Sequence, residues 1–173
     1  MQRAIVRRMR RRTWLGLGAV SALALAAGGG AVALLSAPGV DGGKLSANAR
    51  RVFAGAARGL LEGTLPREPQ ALAALLDRID GLVGNLPGHA QAELSQLLAL
   101  LASAPGRRAF AGLGPEWLEA SPGEIQAAMQ SMRVSPLALR RQAYQALHDI
   151  VGAAYFAEPA TWAALAYPGP LAL

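Results

Sequence analysis

From residue 45 onward, hydrophobic residues recur at three- and four-residue spacing, which is the period of an amphipathic helix. Three such segments precede residue 106, with apolar positions at Leu45, Ala49, Val52, Phe53, Ala56 and Leu60, then Leu72, Leu75, Leu76, Ile79, Leu82, Val83 and Leu86, then Ala90, Leu94, Leu97, Leu98 and Leu101. Residues 64–69, Pro87-Gly88 and residues 104–106 interrupt the pattern. The short break at Pro87-Gly88 predicts that the second and third helices pack as antiparallel neighbours.

Two further helices have recognisable starting residues. Ser121, Pro122 and Glu124 stand in the order of a capping box with a proline at the first helical position. Ser135-Pro136 opens the next helix. The apolar stripes of these two helices are Ile125, Ala128, Met129 and Met132, and Leu137, Tyr144, Leu147, Val151, Ala154 and Tyr155.

No segment alternates with period two, so no sheet is expected and the fold class is all-α. We predict a small bundle of about five to six helices at residues 45–173, ending in an extended aromatic tail rich in proline and glycine. A linker at residues 38–44 precedes it. Residues 1–37 are interpreted as a signal or anchor helix.

The first 37 residues combine a positive segment with an apolar one, as an export signal does. Arg11, Arg12, Trp14 and Leu15 resemble the twin-arginine motif, in which two arginines precede a variable residue and two apolar ones. Residues 15–35 are also long enough to anchor the chain in a bilayer. Cleavage and retention stay open, since the small-residue sites at 31–33 and 35–37 are both imperfect. Either outcome predicts a periplasmic C-terminal part, anchored to the inner membrane if the segment is retained.

The charge of the protein is concentrated at the N-terminus. Six of its 17 basic residues lie within the first dozen positions, and the remaining 11 balance the 11 acidic residues. A general nucleic-acid-binding surface is therefore not expected. The sequence has no cysteine, which excludes disulfides and thiolate-held metals within it.

No constellation of residues points to catalysis, to a cofactor or to a metal. His89 and His148 have no metal-ligand spacing, and buried or capping roles are expected for them. Asp77 and Asp80 share a helical turn, which we interpret as a solvated face. Arg107-Arg108 and Arg140-Arg141 lack a phosphate-cradling glycine loop and are interpreted as surface or partner-facing ion-pair donors.

Aromatic residues are concentrated near the C-terminus. Four of the nine Phe, Trp and Tyr residues, Tyr155, Phe156, Trp162 and Tyr167, lie within thirteen positions of one another. A cap on the helical core and a rigid anchor for another subunit are both consistent with this pattern. Pro159 is expected to end the preceding helix, and Pro168, Gly169 and Pro170 to run extended or turned.

The segment YFAEPATWAALAYPGP resembles the C-terminal pattern of the small subunits of membrane-bound flavin dehydrogenases, the gluconate 2-dehydrogenase subunit 3-like family. The matching positions are Tyr155-Phe156, Glu158-Pro159, Trp162, Tyr167 and Gly169-Pro170. The segment from Ser135 to Tyr144, the predicted helical hairpin from Leu72 to Leu101 and the twin-arginine leader are also similar. Ala166 replaces the usual Gly, and the cysteines found in some members are absent.

The resemblance implies a non-catalytic subunit that binds, stabilises and co-exports a flavoprotein dehydrogenase of the glucose–methanol–choline type. FAD is then held by that large subunit, a cytochrome c subunit often receives the electrons, and the twin-arginine translocase carries the folded pair. The residues expected to contact the partner are the aromatic tail, Pro168, Gly169, Pro170, Arg140 and Arg141. Two other interpretations stay open: a membrane-tethered periplasmic helical interaction protein without an oxidoreductase partner, and a periplasmic carrier of a small ligand between helices.

Overall fold

A computed structural model describes residues 38–165 and Tyr167. The predicted leader with Arg11, Arg12, Trp14 and Leu15 lies outside the described residues. Pro168, Gly169 and Pro170 lie outside them as well.

Six α-helices dominate the described residues, which confirms the all-α prediction. They are α1 (Ala47–Leu60), α2 (Pro69–Gly84), α3 (Gly88–Ala102), α4 (Ala104–Gly106), α5 (Pro122–Arg133) and α6 (Ala138–Phe156). A π-helical turn at Arg107–Ala111 continues from α4, and a 3₁₀ helix at Pro159–Leu165 follows α6.

A small β-hairpin lies in the segment predicted as a linker, so the expectation that no strand forms is wrong. β1 (Val40–Asp41) pairs antiparallel with β2 (Lys44–Leu45). The turn needs positive φ at both central residues, and Gly42 (54°) and Gly43 (76°) supply it. With only two residues per strand, no alternating pattern is long enough to be read from the sequence. Ser95 of α3 accepts from the Val40 N–H at 3.0 Å, which docks the hairpin on the bundle.

Helix α1 is the centre of the bundle, and α2, α3, α5 and α6 pack around it. Its residues 52–57 are all buried, and most are Ala or Gly, whose small size lets neighbouring elements approach on several sides. A Cβ built on Gly55 would lie 2.5 Å from the Trp117 carbonyl oxygen, and one on Gly59 would lie 2.4 Å from Ile125 Cγ2. The abundance of small residues in α1 thus reflects close packing.

The prediction that the second and third helices pack on each other is wrong. Helix α2 packs mainly on α1, α6 and β2, whereas α3 packs mainly on α1, β1 and the π-helical turn. A short connection makes two helices neighbours in sequence, but the small-residue surface of α1 offers each of them a better place to bury its leucines.

The start of α5 agrees with the capping-box prediction. The Ser121 side chain accepts from the Glu124 N–H, and the Glu124 carboxylate accepts from the Ser121 N–H at 2.8 Å. That backbone hydrogen bond, with one from the Ser121 hydroxyl, holds the pKa of Glu124 below its ordinary value. Ile125, Ala128, Met129 and Met132 are all buried, as their spacing predicts.

Helix α6 begins at Ala138, later than the predicted start at Ser135-Pro136. Ser135 is buried and its hydroxyl accepts from the Leu137 N–H at 3.2 Å, so it forms the turn before the helix. The spacing predicts Leu137 on the apolar stripe, but 61% of its surface is exposed because it precedes the helix.

Candidate partner-binding surface

Tyr155 differs from the other C-terminal aromatic residues because its side chain is part of the core. It is only 5% exposed, and its hydroxyl donates to the Thr64 carbonyl oxygen at 3.0 Å. That bond joins the end of α6 to the loop after α1. The core-cap interpretation of the aromatic segment therefore holds for Tyr155.

The last carbonyls of α6 are satisfied by side chains and by the tail. Arg78 Nε donates to the Ala154 carbonyl at 2.9 Å, and the Thr161 hydroxyl donates to the Tyr155 carbonyl at 3.2 Å. Trp162 Nε1 donates to the Phe156 carbonyl at 2.7 Å. Since the final carbonyls of a helix have no partner within it, these three side chains cap the C-terminal end of α6. Trp162 thus has a structural role that its sequence position did not indicate.

An ion pair reinforces this cap from α2. Arg78 Nη1 lies 3.5 Å from Glu158 Oε2, just beyond the end of α6. Because both side chains are partly exposed, the pair itself contributes little stability. Its main consequence is geometric, since the same guanidinium also binds the Ala154 carbonyl. The segment after α6 is therefore tied to α2.

Phe156, Trp162 and Tyr167 form the exposed part of the aromatic segment, and we call them the aromatic surface. Phe156 is 42% exposed, Tyr167 is 49% exposed and Trp162 is half-buried. The Trp162 and Tyr167 rings meet edge to face with centroids 5.4 Å apart, and Phe156 meets Tyr155 in the same way at 5.1 Å. The structure thus holds these three rings in place while leaving aromatic area accessible to a partner.

Within the described residues, Arg140 and Arg141 bind carbonyl and hydroxyl oxygens of their own chain rather than carboxylates, and their contact with a partner stays a prediction. Arg140 Nε donates to the Phe110 carbonyl at 2.7 Å and Nη2 donates to the Ser131 hydroxyl at 2.8 Å. Arg141 Nη1 donates to the Ser135 carbonyl at 2.7 Å. Guanidinium groups carry five donors, which lets them join backbone segments that have no carboxylate nearby.

Arg107 also departs from the prediction of a surface arginine, because it is 3% exposed. Its Nη1 donates to Glu116 Oε1 at 2.7 Å and its Nη2 to the Gly114 carbonyl at 3.4 Å. Its Nε is buried without a partner in the described part of the protein. The pairing with Glu116 closes the loop between the π-helical turn and Trp117, a role that a basic pair in the sequence does not reveal.

Asp77 and Asp80 do not form a merely solvated face. Both bind Arg50 of α1, and the Asp77 bond measures 2.9 Å. The hydrogen bond to Asp77 raises the pKa of Arg50. Asp80 also accepts from the Leu45 N–H at 2.8 Å, so the carboxylates fasten α2 to α1 and to the hairpin.

His89 and His148 are both exposed, so of the buried and capping roles expected for them the buried one is wrong. The His148 ring stacks on Tyr144 with centroids 5.3 Å apart, and its Nδ1 lies 2.9 Å from Asp149 Oδ1.

Two shallow grooves mark the surface away from the aromatic residues. One, of about 410 Å³, runs between the hairpin and the N-terminal half of α3, and includes Gly43, Gln91 and Ser95. The other, of about 230 Å³, lies between the loop at 111–115 and α5.

Among the described residues, no group of three potential ligands is placed to hold a metal ion. No helix in residues 38–165 has the length and apolar character needed to cross a bilayer.

Trp117 is the buried residue that sequence reasoning missed. It is 1% exposed, and its indole N–H donates to the Leu101 carbonyl at 2.8 Å. It lies in an irregular segment, where periodicity gives no indication of burial. The only signal in the sequence was the residue type, because a tryptophan brings a large apolar side chain whose burial is favourable.

Comparison with known proteins adds no relative. No family model matches the sequence, and it has no significant match among curated proteins or solved structures. The likeness to flavin dehydrogenase small subunits therefore rests on the sequence motifs themselves and stays a prediction.

Proposed function

We propose that this protein is the non-catalytic small subunit of a membrane-associated flavoprotein dehydrogenase, and that it binds, stabilises and exports the large subunit. The observation that carries the proposal is the aromatic surface, Phe156, Trp162 and Tyr167, held on a capped helix end. The same residues carry the resemblance to the family. FAD and the oxidation chemistry belong to the large subunit, and a cytochrome c subunit is a further expected partner.

The geometry suits a binding role because the rings need little ordering when a partner arrives. Trp162 is fixed by its bond to the Phe156 carbonyl, and Tyr167 donates its backbone N–H to the Trp162 carbonyl at 3.1 Å. Pre-ordered side chains save about 0.5–1.5 kcal/mol each of entropy loss on binding. Tyr and Trp are also the residue types that most often dominate interface energy.

We expect an affinity pull-down of the tagged full-length protein from its native membranes to recover a large subunit with flavin absorbance. Replacing Phe156 and Tyr167 together by serine should lower the recovered flavoprotein by about tenfold or more, because both rings are interface anchors. The substitutions also remove two aromatic contacts, each worth about 1 kcal/mol of stability. Recovery is measured by flavin absorbance per mole of tagged protein.

The matched control for this double substitution is Tyr155→Phe. It loses one buried hydrogen bond, at a cost of about 1 kcal/mol, but leaves the aromatic surface unchanged. Recovery of flavoprotein should therefore stay near the unsubstituted level. If both variants lost the large subunit equally, the effect would follow from stability and the aromatic surface would not be the interface. A colourless protein eluting alone from expressing cells would instead favour the independent periplasmic interaction protein.

The export part of the proposal predicts a change in location. Replacing Arg11 and Arg12 by Lys should leave both this protein and the flavoprotein in the cytoplasm, because the twin-arginine motif is the only export signal assumed for the pair. Cell fractionation with flavin absorbance measures it, and Arg7→Lys with Arg8→Lys is the control outside the motif. A flavoprotein that still reached the periplasm would refute the escort role.

A further inference from the structure

The turn between α5 and α6 exposes apolar side chains. Val134 is 64% exposed and Leu137 is 61% exposed, the two highest values among the large exposed hydrophobic residues of the described segment. Pro136 stands between them and is exposed as well. We call these three residues the apolar knuckle. Three adjacent apolar side chains at the tip of a turn form a surface that an apolar environment outside the bundle can cover.

Hydrogen bonds hold the knuckle in one conformation. The buried Ser135 hydroxyl accepts from the Leu137 N–H, and Arg141 Nη1 donates to the Ser135 carbonyl at 2.7 Å and to the Pro136 carbonyl at 2.9 Å. The knuckle is therefore a rigid projection whose apolar groups are already oriented outward.

Basic residues flank the knuckle without acidic ones. No Asp or Glu occurs in the sequence between Glu124 and Asp149, whereas Arg133, Arg140 and Arg141 all lie there. None of these three arginines forms an ion pair with a carboxylate in the part of the protein that the structure describes. The knuckle thus combines an apolar tip with an uncompensated positive base.

We propose that the apolar knuckle inserts shallowly into an anionic phospholipid membrane, with Arg133 and Arg141 at the headgroups. Three side chains fall far short of the roughly 800 Å² that each partner of a standard protein interface buries. Membrane binding needs no such area. Insertion of apolar side chains and attraction of arginines to anionic headgroups can strengthen the binding of a protein that is already attached to the membrane at a second point. The apolar sequence at residues 15–35 is predicted to be that attachment if retained. This inference does not depend on the flavoprotein partner.

The cysteine-free sequence permits a direct test on the full-length protein. A single Leu137→Cys variant carries an environment-sensitive fluorophore, and the protein is reconstituted in vesicles of phosphatidylcholine, with or without phosphatidylglycerol. We expect a blue-shifted emission that bromolipids quench only in the anionic vesicles. The matched control is the same label at Leu118, another exposed apolar position (45%), where no shift is expected.

Charge dependence separates membrane docking from other causes of a shift. Arg133→Gln in the labelled protein should lower the ratio of docked to undocked states about fivefold, since each arginine near an anionic surface contributes a factor of that size. Arg51→Gln, which removes an exposed arginine of α1, should leave the ratio unchanged. Emission at position 137 that is the same in both vesicle types overturns the proposal. A shift that occurs only with a co-purified protein also overturns it and assigns the knuckle to a protein interface.

Discussion

Replacing Trp117 by alanine is expected to lower the free energy of unfolding by about 3–5 kcal/mol, the range for removing a large buried aromatic side chain. Trp117 is 1% exposed and its backbone lies against α1 at Gly55, so removal of its indole leaves a cavity in the core. The substitution also removes the donor to the Leu101 carbonyl, at the end of α3. Urea unfolding of the full-length protein, followed by helical circular dichroism, measures the loss.

Trp117→Phe separates the two contributions. It retains a ring but cannot donate to the Leu101 carbonyl, so we expect a loss of about 1–3 kcal/mol, the cost of leaving a buried acceptor unsatisfied. If Trp117→Ala cost less than about 1 kcal/mol, the loop would not be part of the folded core, and the arrangement of α3 against α1 would need another explanation.

Replacing Gly55 by alanine is expected to destabilise the bundle by about 1–3 kcal/mol, as overpacking of a core does. The new Cβ would lie 2.5 Å from the carbonyl oxygen of Trp117 and 2.9 Å from the Cβ of Trp117. A backbone carbonyl cannot relieve this clash by changing rotamer, as a flexible side chain could. This outcome runs against helix propensity, which favours Ala over Gly by about 1 kcal/mol in a helix interior. The same unfolding measurement reports it.

Gly81→Ala is the matched control, because Gly81 lies within α2 and a Cβ there would meet nothing within 4 Å. We expect it to stabilise the protein by about 0.5–1 kcal/mol. Opposite signs for the two substitutions would establish that α1 packs through its small residues. An increase in stability at Gly55 would show that Trp117 does not contact α1 as described.

The helices were predictable because the information that forms them is local. In α5, the capping residues Ser121 and Glu124 and the buried stripe from Ile125 to Met132 lie within a dozen positions of one another. The three- and four-residue spacing of apolar residues indicates which face of a helix is buried, whatever the helix packs against. The candidate surface was partly predictable for a similar reason, since the concentration of aromatic residues after Tyr155 is visible in the sequence. Which of those rings lie in the core was not visible.

The partners of several charged side chains could not be predicted from the sequence. Arg107 pairs with Glu116, Arg140 reaches the Phe110 carbonyl, and Arg50 binds two carboxylates of α2. A charged residue in a sequence is compatible with a solvated, a paired or a buried position. The choice depends on which backbone or carboxylate groups the fold brings within about 3 Å.

By itself, the sequence determined the helical class, the starting residues of α5 and most positions of the buried stripes, because helix periodicity and capping act between near neighbours. Only the tertiary structure decided that α1 lies at the centre, that α2 and α3 pack on it rather than on each other, and that Trp117 caps the end of α3. The physical reason is that packing and long-range hydrogen bonds depend on the shapes and unpaired carbonyls of segments far apart in the sequence, which no local pattern records.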